Sequence, residues 1–448
     1  MRRKIYDYLL NWKAQEKGSV ALLIEGARRV GKSYIVEEFA QKEYKSHISI
    51  DFSHLGKAMK NVFDEYLNDT DTFLMYLQNI TGTRLYERES LIIFDEIQFY
   101  PMARQAIKHL VADGRYDYIE TGSLVSINEN TKDILIPSEE RPVQMYPMDF
   151  EEFLWALGDE MTFPFIKQCF ENRHPLGPMH RKAIMLFRQY MIVGGMPQAV
   201  KKFTETGMFQ SVDTVKRDIL SLYRKSIDKH VRNYTEKVKS IWDQLPGELQ
   251  KHEKRFKLSD ITKGARYRSY ESSLLWLKDA RFVNICNDVT DPQVGMRLRR
   301  DETVFKCYMG DTGLLISHAF DEKTIQGEEL YQKIILDKLE INEGMLLENI
   351  VAQMLSASGH TLYFYSNYSK LSAERMEIDF LVEKPTLTNA HNICPIEVKS
   401  GKNYSFSSLE KFKKKFDKQL DTAYVIHCAD YKQENGYQFI PVYMTPLL

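Results

Sequence analysis

The chain has 448 residues, too many for one ordinary hydrophobic core, so we expect about two to four domains. Its composition, with 43% hydrophobic and 27% charged residues, excludes a fibrous or mainly disordered protein. Because 61 Lys and Arg residues nearly balance 62 Asp and Glu residues, the charge of the whole chain carries no signature of nucleic-acid binding, and any basic surface must be local.

The apolar runs are all too short to cross a membrane. None approaches the roughly 18 residues of a membrane span, and the N-terminal segment lacks both the long apolar run and the small-residue cleavage site of a signal peptide. The five cysteines are scattered and odd in number, which is typical of reduced thiols. We therefore expect a soluble, cytoplasmic protein with no membrane partner.

Short apolar runs alternate with helical stretches from Ser19 to about Phe150. The runs are VALLIEG, HISIDFS, LIIFDEIQ and YDYIETGS. Such alternation predicts a parallel sheet covered by helices. We assign this domain to residues 1–150.

A phosphate-binding motif follows the first of these runs. The segment EGARRVGKS matches GxxxxGKS/T, with Gly26 and Gly31 at the two glycine positions. Glycines let backbone N–H groups turn toward phosphate oxygens at a helix N-terminus, Lys32 reaches the β and γ phosphates, and Ser33 places a hydroxyl on Mg²⁺. The predicted nucleotide-binding residues are Gly26, Ala27, Arg28, Arg29, Val30, Gly31, Lys32 and Ser33.

LIIFDEIQ supplies the second half of an ATP site, because its buried strand ends in two acidic residues. Asp95 is predicted to hold Mg²⁺ together with Ser33, and Glu96 to activate the attacking water as the catalytic base. The next strand ends at Thr121 and Ser123, which are equal candidates for a sensor hydroxyl, although such residues also begin helices. Arg141 is a candidate arginine finger, with an ordinary surface arginine as the alternative.

The middle region, residues 151–335, begins with a largely helical stretch to about Asp243 that is broken at GGMP. KLSDITKGARYRSYESSLLWLKDARFVNICNDV then indicates helix, turn, helix and strand, and TVFKCYMGD a return strand. This order is typical of a winged helix-turn-helix. Between residues 250 and 300 there are twelve Lys and Arg against six Asp and Glu. The candidate contacts to duplex DNA are Lys263, Arg266, Arg268, Arg297, Arg299 and Arg300; protein contact or a merely solvated basic face is the alternative.

The C-terminal region, residues 336–448, shows helix, three strands, helix and strand. Asp379 lies in EIDFLV, and Glu397 and Lys399 share one strand face in PIEVKSGK. Carboxylates beside a lysine, joined by Glu348 from the preceding helix, form a candidate site for a second divalent metal, Mg²⁺ or Mn²⁺. The pattern is typical of the PD-(D/E)xK nuclease fold, and a salt bridge between Asp379 and Lys399 without catalysis is the alternative.

The constellation resembles the prokaryotic AAA+ ATPases in which a P-loop domain precedes a winged helix and a C-terminal domain of restriction-nuclease-like fold. The resemblance rests on GARRVGKS, LIIFDEIQ, YIETGS, MYPMDFEEFL, YMIVGGMPQAV, EIDFLV and PIEVKSGK. It implies ATP binding and ATP hydrolysis, while MYPMDFEEFL and VGGMP are expected to act in packing. AAA+ relatives commonly complete the ATP site with a neighbouring subunit, so a homo-oligomer is expected.

The fold class expected is therefore α/β and multidomain, with a P-loop ATPase domain, a winged-helix middle and a nuclease-like α/β domain. The function expected is Mg²⁺-dependent ATP hydrolysis coupled to action on DNA. In one alternative, ATP has a regulatory role and the activity of the protein is metal-dependent cleavage of DNA. A second is a nucleotide-switched scaffold for protein partners with an inactive nuclease fold.

Overall fold

The computed structural model describes residues 1–124, 134–231, 233–251, 255–320, 331, 333, 343–384, 390–401 and 405–448. The chain forms two compact units. The first comprises residues 1–147 with 279–281, and the second comprises residues 148–278 and 282–448. No helix among the described residues is both long and apolar enough to cross a membrane.

The first unit is built on a five-stranded sheet in the order β2-β3-β4-β1-β5. All its strand pairs are parallel, which confirms the parallel sheet predicted from the alternating pattern. The strands are β1 (Ala21–Glu25), β2 (Ser46–Asp51), β3 (Ser90–Asp95), β4 (Asp117–Gly122) and β5 (Glu140–Gln144). The helices are α1 (Lys4–Glu16), α2 (Lys32–Glu43), α3 (Lys57–Tyr66), α4 (Thr70–Thr81) and α5 (Pro101–Asp113), with 3₁₀ turns at Phe52–His54 and Ile97–Phe99.

Both faces of this sheet are buried, which explains why its strands read as continuous apolar runs. On β3, Ile92 and Phe94 pack into the core under α3, α4 and α5, whereas Leu91 and Ile93 pack into the core under α1 and α2. Because the strands are parallel, the carboxyl ends of β1, β3 and β4 meet at one edge, where ligands of open α/β sheets bind.

The second unit begins with helices and ends with a mixed α/β layer. The helices that follow the first sheet are α6 (Phe150–Ala156), α7 (Thr162–Glu171), α8 (His180–Val193), α9 (Pro197–Thr206), α10 (Phe209–His230), α11 (Thr235–Gln250), α12 (Leu258–Ile261), α13 (Glu271–Asp279), α14 (Thr312–Ala319), α15 (Glu343–Ala357) and α16 (Ser407–Phe416). The 3₁₀ segments are Gly177–Met179, Tyr267–Ser269, Met296–Arg299 and Val442–Leu447.

An eight-stranded sheet forms the second layer, in the order β12-β13-β11-β10-β9-β8-β6-β7. Its strands are β6 (Val283–Val289), β7 (Arg300–Met309), β8 (Tyr363–Asn367), β9 (Met376–Glu383), β10 (Ile393–Val398), β11 (Ala423–His427), β12 (Lys432–Glu434) and β13 (Tyr437–Pro441). Parallel pairs β6·β8, β10·β11 and β11·β13 are combined with antiparallel pairs β6·β7, β8·β9, β9·β10 and β12·β13.

The β6–β7 hairpin, which was expected to form the wing of a winged helix, belongs to a larger sheet. β6 and β7 are antiparallel and follow α12 and α13, in the predicted order. However, β6 also pairs with β8, so the hairpin is one edge of the sheet that contains the C-terminal strands. This topology does not confirm a winged helix or a nuclease fold, and the three-domain division remains a prediction.

Residues 148–154 of the MYPMDFEEFL segment and the VGGMP segment pack against each other inside the second unit. The backbone N–H of Met148 donates to the carbonyl of Gly195 at 2.7 Å. Gly195 N–H in turn donates to Asp311 Oδ2 at 2.6 Å. Gly194 has φ of 79°, and a Cβ there would lie 2.3 Å from Asp311 Oδ1, so only glycine fits. Both segments therefore have a packing role in the described structure.

Candidate functional site

The phosphate-binding loop runs from the end of β1 to the start of α2. Gly31 (φ 96°) and Arg29 (φ 68°) both lie in the left-handed region, which turns the loop back on itself. A Cβ on Gly26 would lie 2.3 Å from the carbonyl oxygen of Met145, so the first glycine of the motif is required by close packing. The loop thus has the strand-turn-helix setting that a phosphate site needs.

Lys32 is held inside this loop. Its Nζ donates to the carbonyls of Gly26 at 3.0 Å and Ala27 at 3.1 Å, and only 6% of the residue is exposed. Burial lowers the pKa of Lys32 to about 8, against the opposing effect of Glu96 and Asp95. A bound phosphate would supply the negative charge that this poorly solvated ammonium lacks.

Arg3 supports the loop, although no sequence motif pointed to it. Its guanidinium donates to the carbonyl of Val30 at 2.9 Å and to that of Tyr146 at 2.7 Å. Arg3 therefore ties the chain before α1 to the loop and to the segment after β5. A lone arginine near the N-terminus gives no sequence signal for such a role.

The Asp95 carboxylate at the end of β3 contacts side chains from α2 and β4. Its Oδ1 accepts a hydrogen bond from Ser33 Oγ at 2.8 Å and another from the Thr121 hydroxyl. β4 lies between β1 and β3, so Thr121 at its carboxyl end stands between the loop and Asp95. Ser123 is buried, and its Oγ has no hydrogen-bond partner among the described residues. Of the two sensor candidates, the structure brings Thr121 to Asp95.

Glu96 has an unusual backbone conformation. With φ of 54° it is a non-glycine residue in the left-handed region, a strained geometry that is concentrated at functional sites. Its N–H lies 3.5 Å from Thr121 Oγ1, and its Oε2 accepts a hydrogen bond from the Gln98 side chain. Gln98 is thus a positioning residue for Glu96. Its position two residues after Glu96 in LIIFDEIQ was the sequence signal from which this role could have been predicted.

Arg28 and Arg29 lie in the loop, whereas Arg141 lies beside Leu22, toward the other end of the parallel strands. Arg28 is half-buried and Arg29 is exposed. Arg141 donates to Glu16 Oε1 at 2.6 Å, and 45% of its side chain is exposed. This ion pair corresponds to the surface-arginine alternative for Arg141, while its role as an arginine finger remains a prediction.

A buried ionic network lies behind β4 and was not predicted from the sequence. Arg104 on α5 makes two hydrogen bonds to Glu140, at 2.8 and 2.7 Å, with both side chains almost fully buried. Glu120, one residue before Thr121, is completely buried, and burial followed by the charge of Glu140 raises its pKa well above the usual value. The ion pair thus joins α5 to β5, and the charge of Arg104 also acts on the buried Glu120 carboxyl of β4.

The second predicted cluster also assembles. Lys399 Nζ lies 2.5 Å from Glu397 Oε2, and the N–H of Val398 donates to Asp379 Oδ2 at 2.8 Å. Burial and the charge of Asp379 raise the pKa of Glu397 to about 8. Glu348 on α15 lies in the same cluster, because Lys306 contacts both Glu348 and Asp379.

Lys306 lies on β7 and was not predicted from the sequence as a member of this cluster. Its Nζ lies 2.7 Å from Glu377 Oε1, 3.3 Å from Glu348 Oε1 and 3.5 Å from Asp379 Oδ1. Burial alone would lower the pKa of Lys306, but the surrounding carboxylates raise it well above the usual value. Within the described part of the chain, no group of three or more His, Cys, Asp or Glu is arranged to hold a metal ion.

The basic candidates of the middle region fall into two groups. Lys263, Arg266 and Arg268 are exposed, and the two arginines line an open groove of about 480 Å³. The same groove is lined by two further cations, Arg255 and Lys257. Within the RLRR run the side chains behave differently: Arg297 is exposed, Arg299 pairs with Asp291, and Arg300 pairs with Glu302.

Three segments of the chain match models of protein families. Residues 19–154 match the family described as AAA domain. Residues 184–324 match a domain of unknown function (DUF8612), and residues 343–445 match another (DUF4143). The first match agrees with the loop geometry: residues 19–154 are similar to the AAA domain and carry a phosphate-binding loop. The segments that follow it match families without an assigned function.

Several solved structures share a distant likeness with the chain. The Walker-type ATPase PABY2304 of Pyrococcus abyssi is 14% identical, with 71% of this chain and 96% of that chain covered and a TM-score of 0.42. The Aeropyrum pernix ORC1 protein in complex with DNA is 10% identical, with coverages of 76% and 94% and a TM-score of 0.31. Cdc6p from Pyrobaculum aerophilum is 12% identical, with coverages of 75% and 93% and a TM-score of 0.25. At these values the likenesses carry no argument about function. No curated protein matches the chain.

Proposed function

We propose that the chain is a Mg²⁺-dependent ATP hydrolase. The observation that carries this proposal is the convergence on Asp95, whose carboxylate is bound by the Ser33 hydroxyl of the phosphate-binding loop and by the Thr121 hydroxyl of β4. Ser33 on α2, Asp95 on β3 and Thr121 on β4 are thereby brought together at one edge of the sheet. The buried ammonium of Lys32 lies on the same α2 helix as Ser33.

The residues fit the magnesium ion that accompanies ATP. Mg²⁺ prefers oxygen ligands and is usually held by one or two protein groups together with substrate phosphates and water. The Ser33 hydroxyl and the Asp95 carboxylate, 2.8 Å apart, are such a pair of oxygen donors. The ion neutralises charge on the triphosphate when it is bound.

The protein residues would then divide the work of hydrolysis. Lys32 and the loop N–H groups bind the phosphates at the N-terminus of α2. Thr121 holds the Asp95 carboxylate in place, and Glu96 accepts the proton of the attacking water. Gln98 orients Glu96 through its side-chain hydrogen bond.

Replacement of Glu96 tests this proposal. Glu96→Gln keeps the shape of the side chain but removes the base, so Mg–ATP binding should persist while turnover falls about 10²- to 10⁴-fold. Binding is measured by calorimetry and turnover by phosphate release. Glu89→Gln is the matched control, because Glu89 pairs with exposed Lys45 just before the same strand; it should keep full turnover. Equal turnover in the Glu96 variant and the wild type would refute the role of Glu96 as the catalytic base.

A second candidate function, action on duplex DNA, is favoured by the basic groove. Four cations, Arg255, Lys257, Arg266 and Arg268, line one open surface with Tyr267 between two of them. Such a groove can neutralise phosphates, and its affinity would fall with rising salt. The expected result is that duplex DNA at low salt raises ATP turnover severalfold and that Arg266→Ala reduces this effect.

Turnover that is indifferent to DNA would favour the other candidate, a nucleotide-switched scaffold for a protein partner or a homo-oligomer. In that case a pull-down should recover a stable protein partner and no DNA. The winged-helix and nuclease-like interpretations of the later regions belong to the DNA proposal. The DNA proposal does not include cleavage of DNA, because Lys306 lies among the carboxylates that would hold a second metal.

A further inference from the structure

Lys306 lies at the centre of the acidic cluster in the second unit. Its Nζ is within 3.5 Å of carboxylate oxygens from Glu348, Glu377 and Asp379. These carboxylates come from α15 and β9, so the ammonium links two elements far apart in sequence from its own strand, β7. Together with Lys399, which pairs with Glu397, Lys306 thus already compensates the negative charge of the cluster.

The ammonium occupies the space that a divalent cation would need. Mg²⁺ is held by oxygen ligands at about 2.0–2.1 Å, and Mn²⁺ prefers the same kind of ligand. A nitrogen placed 2.7, 3.3 and 3.5 Å from three carboxylate oxygens fills the volume between them. It also adds a positive charge that would repel the metal. The residues as arranged therefore do not fit a resident divalent metal.

Lys306 has no local route out of the cluster. It is fully buried, and its neighbours Phe305 and Cys307 are each 1% exposed. The strand pairs with β6 on one side, opposite Cys286, and forms a bridge to Arg255 on the other. The Phe364 ring closes the site, with its centroid 5.0 Å from Nζ. Removing the ammonium would require movement of β7 and not merely a change of rotamer.

We propose that Lys306 is the resident cation of this cluster and that it takes the place of a divalent metal there. The cluster is then metal-free in the intact protein and does not cleave phosphodiesters by a metal-dependent route. Lys306 acts in this way whether or not the P-loop domain hydrolyses ATP.

Mn²⁺ binding by the full chain, measured without nucleotide, tests the proposal. Electron paramagnetic resonance counts the free Mn²⁺ ions. The wild-type chain should take up no Mn²⁺ at this cluster, so Asp379→Asn should leave its uptake unchanged. Lys306→Met keeps the length of the side chain and removes its charge. This variant should gain one Mn²⁺ per chain with at least tenfold tighter binding than wild type.

Thermal melting gives a second reading that distinguishes a metal site from a loss of packing. In EDTA, Lys306→Met should melt at a lower temperature than wild type, because its carboxylates lose their cation. Mn²⁺ should raise its melting temperature while leaving wild type unchanged. Lys384→Met is the matched control, since Lys384 directly follows β9 and pairs with half-exposed Asp421. This variant should gain no Mn²⁺.

Two results would overturn the proposal. One is Mn²⁺ uptake by the wild-type chain that Asp379→Asn abolishes. The other is a folded Lys306→Met variant that takes up no more Mn²⁺ than wild type. If the single variant does not fold, the wild-type measurement still decides, and Lys306→Met combined with Glu377→Gln lowers the uncompensated charge and provides the folded comparison.

Discussion

Replacement of Arg104 by methionine should destabilise the first unit severely. The Arg104 guanidinium makes two hydrogen bonds to Glu140, and the two side chains are only 7% and 2% exposed. Methionine fills a similar length without a charge, which leaves Glu140 beside the completely buried Glu120 with no cation. The connection between α5 and β5 should therefore be lost, and two neighbouring buried carboxyls should be left without Arg104.

The magnitude follows from burial. Breaking a buried ion pair by removing one partner costs about 3–5 kcal/mol, because the remaining charge is left uncompensated. For a unit of this size each kcal/mol shifts the melting temperature by roughly 2–4 °C, so the shift should be on the order of 10 °C. Carboxyls without a cation take up protons in the folded state more readily than in the unfolded state, so the loss should be smaller at pH 5 than at pH 8.

Hydrogen exchange in urea, followed on peptides from β4 and α5, measures the unfolding free energy of this unit separately from the rest. Arg141→Met is the matched control, because Arg141 is the next residue after Glu140 and its pair with Glu16 is at the surface; surface pairs contribute about 0–1 kcal/mol. Adding Glu140→Gln to Arg104→Met should recover part of the loss. A cost of Arg104→Met no greater than that of Arg141→Met would refute this reasoning.

Other substitutions probe the remaining sites. Thr121→Val removes the hydroxyl bound to Asp95 at almost constant volume; loss of a hydrogen bond to a charged group, about 1.5–3 kcal/mol, should reduce kcat at least tenfold, and unchanged phosphate release would exclude a role for the hydroxyl. Glu397→Gln should flatten the pH dependence of stability: a pKa raised to about 8 means that the folded state holds its proton longer than the unfolded state, so wild-type stability falls as pH rises toward 8. Calorimetric scans from acid to alkaline pH with equal slopes in both proteins would contradict this. Gly194→Ala, at φ of 79° in a packed site, should lose more urea resistance than Gly207→Ala, at φ of 65° in open space.

The arrangement of the candidate ATP site was predictable because its signals are local. GxxxxGKS and LIIFDEIQ each place their chemical groups within a few residues of a strand end, so Lys32, Ser33 and Asp95 could be named before the fold was known. The choice between Thr121 and Ser123 could not be made. It depends on which hydroxyl reaches Asp95 across the sheet, and that is set by the register between β4 and β3.

The acidic cluster was predictable only in part, because its members are joined by long-range pairing. Asp379, Glu397 and Lys399 were expected together from neighbouring strands. Lys306 was not, since its strand was assigned to a separate wing, and no short-range pattern shows that β6 pairs with β8. A single charged residue inside the apolar run TVFKCYMGD was the one signal, because a buried lysine needs a partner.

The hairpin at the edge of the eight-stranded sheet limits what a fragment of this protein can report. A truncated chain covering only the segment 343–445 would leave β8 without its neighbour β6, exposing a row of unpaired backbone groups that promotes aggregation. It would also lack Lys306, so Glu348, Glu377 and Asp379 would meet solvent without their cation. Metal binding or DNA cleavage by such a fragment would describe an artificial site, so the segments 184–324 and 343–445 must be studied together.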